Sequence, residues 1–115
     1  MSDDACLFCR IVAGEIPAEV VAEDDEALAF RDIQPAAPVH VLVVPKVHSP
    51  TLAELAGSHP SHATAVLRLS RQVAESEGVG DAYRLVCNNG AAAQQSVFHA
   101  HAHVLGGRPL TWPPG

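Results

Sequence analysis

Two kinds of apolar spacing run along this chain, and where they change lays out its elements. Alternate apolar positions mark strands, and positions three and four apart mark the buried stripe of a helix. Within Cys6–Val12, LFCRIV fits a short helix closed by Gly14 and Pro17. Val20–Glu23 reads as a short strand, Asp24 and Asp25 as a turn, and Ala27–Asp32 (ALAFRD) as a second strand. Pro35 and Pro38 make IQPAAP a loop. His40–Pro45 (HVLVVP), β-branched and almost wholly apolar, predicts a central, well-buried strand.

Helical spacing then takes over. Leu52 and Leu55 suggest one helical turn, and a longer helix follows Ser58 with Pro60 in its first turn. Ala63, Val66, Leu67, Ser70, Val73 and Ala74 form its stripe, and Gly78 and Gly80 end it. Tyr83–Cys87 (YRLVC) is a fourth strand, Asn88–Gln95 a polar loop, and Phe98–Leu105 a fifth strand. The order β-β-β-α-β-β predicts an α+β fold, with an antiparallel sheet and helices on one face. The 115 residues suit one domain, 1–115, with no repeat or linker dividing it.

Charge narrows the partners. The net charge is −6, and the seven Lys and Arg residues do not cluster. That argues against a nucleic-acid polymer, whose binding rests on phosphate neutralisation. A small anion could still bind through backbone N–H groups and histidines. No apolar run reaches membrane-spanning length, and MSDDACLFC lacks the pattern of a secretory signal, so a cytoplasmic protein is expected.

Three of the seven histidines fall in SVFHAHAHVLGG, residues 96–107. On a strand, His99, His101 and His103 share one face, their backbones roughly 6.5–7 Å apart. A three-histidine metal site and an acid–base or nucleophilic relay both use such a face, and the linear spacing favours the relay. The preceding loop, with Asn88, several N–H groups and Ser96, could cradle a phosphoryl group. Cys6 and Cys9 form C-x-x-C, which could be a redox pair, two core residues or half a zinc site, with His48 a candidate further ligand. Cys87 reads as a small buried hydrophobe, and His59 and His62 as solvated.

QSVFHAHAHVLGG resembles the signature of the histidine triad (HIT) family, H-φ-H-φ-H-φ-φ with φ hydrophobic. The likeness extends through IVAGEIPAEVVAEDDEALAFRDIQPAAPVHVLVVPK, YRLVCNNG and GGRPLTWPPG. It is similar to the Hint branch, hydrolases of purine nucleoside 5′-phosphoramidates. The resemblance implies the HIT-like fold: a five-stranded antiparallel sheet with one long and one or two short helices. It makes His101 the nucleophile, with His103, Asn88, Gln95 and Ser96 at the phosphate and His99 and His40 behind. Asp32 matches the ribose-binding acid, and Phe8, Ile11, Ile16, Phe30, Ile33 and Leu42 match the wall around the base. Catalysis calls for no cofactor. A non-catalytic nucleotide-binding module of the same fold is the alternative.

One departure from the family stands out: Gln94 occupies a position before Gln95-Ser96 where glycine is common. Many bacterial members resemble this chain in C-x-x-C and a following histidine, which implies a structural zinc on Cys6, Cys9, His48 and His99. The family further implies a homodimer whose sheets join into ten strands. Each C-terminus would then reach the other subunit's site, placing Trp112 to select the leaving group.

Overall fold

The computed structural model describes residues 5–115; the first four residues of MSDDACLFC lie outside the described residues. The α-helices among the described residues are α1 (Leu7–Val12), α2 (Leu52–Ser58) and α3 (Pro60–Ser76), with a 3-10 turn at Ala91–Ala93. The strands are β1 (Val20–Glu23), β2 (Ala27–Arg31), β3 (Val39–Pro45), β4 (Tyr83–Val86) and β5 (Ala102–Gly106). They form one antiparallel five-stranded sheet in the order β1-β2-β3-β5-β4.

All seven residues of β3 are buried, as the continuous apolar run requires, because both faces of the strand are covered. Val39, Val41 and Val43 pack with Ala27, Ala29, Ala102 and Val104 against the α3 stripe of Ala65, Val66, Leu69, Val73 and Ala74. Alternation sends Leu42 and Val44 to the opposite face, where they join Leu28, Phe30 and Phe8. That second cluster corrects the expectation of helices on one face. Phe8, Ile11 and Val12 of α1 find cover on the side that α3 leaves open.

The starts of α2 and α3 have local causes. Thr51 caps α2, its side chain accepting the Glu54 N–H at 3.1 Å, and Pro60 opens α3 where a missing N–H costs nothing. β5 starts at Ala102 rather than Phe98, so only His103 of the three histidines lies within the strand. The ladder between β3 and β5 runs from Val39↔Gly106 to Val43↔Ala102. Past that point Pro45 has no N–H to continue it, and the Ala100 N–H turns instead to the Ser49 carbonyl at 2.7 Å.

Candidate active site and metal centre

His99, His101 and His103 still alternate along the extended segment, on the sheet face opposite α3, but they do not converge on one point. Each imidazole is committed to a different neighbour, and the hydrogen bonds assign its protons.

His99 is fully buried and donates Nε2–H to the Pro45 carbonyl at 3.0 Å, which leaves Nδ1 bare. That nitrogen lies 3.4 Å from Cys6 Sγ, 3.4 Å from Cys9 Sγ and 3.3 Å from His48 Nδ1. Cys9 Sγ to His48 Nδ1 is 3.3 Å. Around tetrahedral zinc, nitrogen–nitrogen edges are roughly 3.3 Å and sulfur–nitrogen edges roughly 3.6 Å, from the usual bond lengths. The four residues therefore fit a zinc ion. Local sequence helps: Cys6 is the N-cap of α1 and Cys9 lies one turn on, so both sulfurs face the same side. Burial, reinforced by His48 and His101, lowers the pKa of His99 to about 4, so the ring is neutral and able to ligate.

His101 donates Nδ1–H to the His99 carbonyl at 2.7 Å, leaving its Nε2 with a free lone pair. Burial lowers its pKa, while the His99 carbonyl and the nearby Asp32 charge pull the other way. The third histidine is tied to β3. The Ala36 N–H reaches His40 Nδ1 at 2.9 Å, which places the His40 proton on Nε2. That N–H meets His103 Nδ1 at 2.9 Å, with Asp32 Oδ2 3.4 Å away, so the proton of His103 sits on Nε2. Burial is the main cause that lowers the pKa of His103 to about 4. The result is a bare nitrogen on His101 next to an N–H on His103, their rings 5.1 Å apart.

The polar loop is held from within. Gln95 is 3% exposed, and its amide is wholly occupied: Oε1 accepts the Gly90 N–H at 2.8 Å, and Nε2 donates to Pro50 and Val97 carbonyls at 2.6 and 3.0 Å. The Gln95 side chain thus shapes the loop and has no donor left for an anion. Gln94 has φ 74° and ψ 24°, the left-handed conformation that glycine adopts at least cost. The loop keeps the glycine-like turn although the residue is glutamine. β4 ends at Val86, paired with His103, and Asn88 follows two residues beyond that end. Ser96 is exposed beside Leu7 and Phe98.

A cavity of about 480 Å³ opens between α1 and β2. Phe8, Ile11, Ile16, Phe30, Asp32, Ile33 and Leu42 all line it, as do Leu7, Pro17, Ala18, Glu19 and Arg31, which sequence reasoning missed. Pro17 reads as a helix stop, and the resemblance matches only its neighbour Ile16 to the wall. Ile33 is 95% exposed and forms the rim. Asp32 Oδ1 accepts the Gln34 N–H at 2.7 Å, which fixes the carboxylate at the cavity edge. Trp112 is 80% exposed, and the tail holds to its own subunit through Arg84 Nη2, which donates to the Thr111 carbonyl at 2.9 Å. Cys87 is half-buried, and burial raises its pKa.

A five-stranded antiparallel sheet with helices against it, a histidine-lined face and a neighbouring Cys/His cluster make this an α+β domain with two adjoining candidate sites. The pattern of the HIT domain matches residues 13–110. A protein named 14 kDa zinc-binding protein from Zea mays is 45% identical, over 100% of this chain and 91% of its own. Adenylylsulfatase HINT1 from Arabidopsis thaliana is 44% identical over 99% of this chain and 79% of its own. The crystal structure of a HIT family hydrolase from Legionella pneumophila superposes with a TM-score of 0.90 at 47% identity, covering 96% of this chain and 99% of that one. The chain belongs to the HIT family, in its Hint-like branch.

Proposed function

We propose that the protein is a nucleotide-binding hydrolase that cleaves the P–N bond of purine nucleoside 5′-phosphoramidates through a nucleotidyl-histidine intermediate. The observation that carries this reading is the tautomer of His101, whose Nδ1–H is bonded to the His99 carbonyl at 2.7 Å while Nε2 stays bare. Nε2 attacks the α-phosphorus, a new N–P bond forms, and the substrate P–N bond breaks as the leaving nitrogen takes up a proton from solvent. The imidazolium so formed keeps its Nδ1–H on the carbonyl, which stabilises the positive charge. Water then displaces Nε2 at phosphorus and releases the nucleoside monophosphate. His103, with Nε2–H free, donates to a phosphate oxygen along with Asn88, Ser96 and loop N–H groups. Gln95 acts there through its backbone and by holding the loop.

The apolar cavity receives the base, and Asp32 accepts from the ribose hydroxyls. The relative named an adenylylsulfatase supports an adenylyl-type substrate. Cys6, Cys9, His48 and His99 hold a zinc that fixes the N-terminal segment to the sheet; four protein ligands leave it no open position for substrate. The protein acts as a cytoplasmic homodimer, and the exposed Trp112 reaches the partner subunit's site to select the leaving amine.

Quenching a reaction with adenosine 5′-phosphoramidate should trap one adenylyl group on His101 by peptide mass analysis. A protein that turns the substrate over with no adduct at any time would sink the covalent route. Asp32→Ala should raise KM at least tenfold in the same assay and change kcat much less. Sedimentation at low micromolar concentration should give a dimer, and a 12.1 kDa species alone would remove the cross-subunit role of Trp112.

A further inference from the structure

We propose that the metal centre and the nucleotide cavity are thermodynamically linked through α1, with Phe8 as the positioning residue that joins them; this rests on the zinc and nucleotide readings above. Helix α1 and its N-cap serve both sites. Cys6 at its N-cap and Cys9 face the metal cluster, while Leu7, Phe8 and Ile11 line the cavity. A helix this short has little stability of its own, so what it is tied to sets its position.

Phe8 is 4% exposed and touches both imidazoles that matter. Its ring stands edge-on to His101 at 5.1 Å and 88°, and to His99 at 6.0 Å and 73°. On its far side it meets Phe30, a wall residue, at 5.5 Å and 72°. A second route runs through His99 itself. Its ring faces the two sulfurs, and its carbonyl fixes the proton of His101. Ligation of Cys9 and His99 therefore sets the position of one cavity wall and the orientation of the nucleophile together. These groups touch one another from the cluster to the cavity wall, one of the routes by which coupling between sites is carried. Coupling of binding free energies is reciprocal, so a nucleotide that fits the wall formed with metal in place must tighten metal retention.

The test uses the zinc-loaded protein in equilibrium competition with a chromogenic chelator, with and without AMP at a concentration that calorimetry shows to be saturating. AMP should raise zinc affinity about tenfold, within the usual range of such couplings. Phe8→Leu, which keeps an apolar wall but loses the ring edge, should cut that effect to within about twofold. Ile11→Ala alters the same cavity but leaves the Phe8 ring in place and should keep the full effect once AMP is saturating. Equal zinc affinity in wild-type protein with and without bound AMP overturns the linkage and leaves the nucleotide reading intact. No AMP binding by calorimetry overturns both. Loss of the effect in Ile11→Ala as complete as in Phe8→Leu overturns the assignment to Phe8. The wild-type measurement stands whether or not either variant folds.

Discussion

Cys6, Cys9, His48 and His99 form one group of ligating atoms, and Asp32, His40 and His103 form another; within each group the atoms lie within 4.8 Å of one another. By residue type and distance both could be metal sites. Their protons differ. His99 gives its far N–H to the Pro45 carbonyl and turns a bare Nδ1 to the cysteines. His40 receives the Ala36 N–H on its far nitrogen, so its own proton points into the cluster. A cation at the second group would need that proton removed and the 2.9 Å separation of His40 and His103 opened to roughly 3.3 Å. A backbone carbonyl behind one ring and a backbone amide behind the other thus separate a cluster able to ligate a metal from one closed by its own hydrogen bonds.

Exchanging the two roles by mutation gives the largest expected effects. His101→Ala should lower phosphoramidate turnover about a thousandfold or more, with zinc content unchanged at one equivalent. Cys9→Ala should do the reverse at the level of stability, losing zinc and several kcal/mol against urea, since metal binding to such a site is folding free energy. Metal analysis and denaturant titration of the two variants check this, and loss of zinc in His101→Ala would erase the distinction. Two equivalents of zinc in the wild type, resistant to dialysis, would break it from the other side.

Acid should sharpen the contrast. His103 sits at about 4 when folded and near 6.5 when unfolded, so in that interval the unfolded chain takes up the proton first. Stability is therefore intact above about pH 6.5 and falls as pH drops towards 4. His103→Asn should make that fall shallower by up to one proton while leaving zinc release in acid unchanged. Urea midpoints measured from pH 7 to 4.5 read the slope, and an unchanged slope would remove His103 from the account.

The smallest effect concerns the loop that precedes the histidine segment. Left-handed backbone costs a side-chain-bearing residue about 1–2 kcal/mol, and glycine gives back about 0.5–1 of that in unfolded-state entropy. Gln94→Gly should thus raise stability by about 0.5–1 kcal/mol in thermal unfolding, with the phosphate-loop function kept. A lower melting temperature would mean that the Gln94 side chain has a partner worth more than its strain.

Much of this could be read directly from the chain. Alternation in ALAFRD placed β2, the continuous apolar run HVLVVP placed β3, short apolar stretches placed β1 and β4, and the spacing of Val66, Ser70, Val73 and Ala74 placed the long helix. β5 was expected to begin four residues too early, because apolar alternation continues through Val97 and Phe98 while the partner strand ends at a proline. The cover that α1 gives the second face was also hidden, since six residues carry too little pattern to say which surface they meet. Gln95 was read as a phosphate contact, but its side chain turns inward to Gly90, Pro50 and Val97, and no local signal distinguishes the two uses.

The sequence by itself determined which chemical groups exist and their order along each strand. The alternating histidines, the C-x-x-C spacing and the apolar β3 follow from backbone periodicities that act within a few residues. Tertiary structure decided what each group became. His99 meets Cys6 across 93 positions, and His40 meets His103 across 63. Which imidazole nitrogen keeps its proton depends on carbonyls and amides at Pro45, His99 and Ala36. A proton's place on an imidazole is set by the partner that the fold brings to its other nitrogen, and periodicity carries no information about that partner.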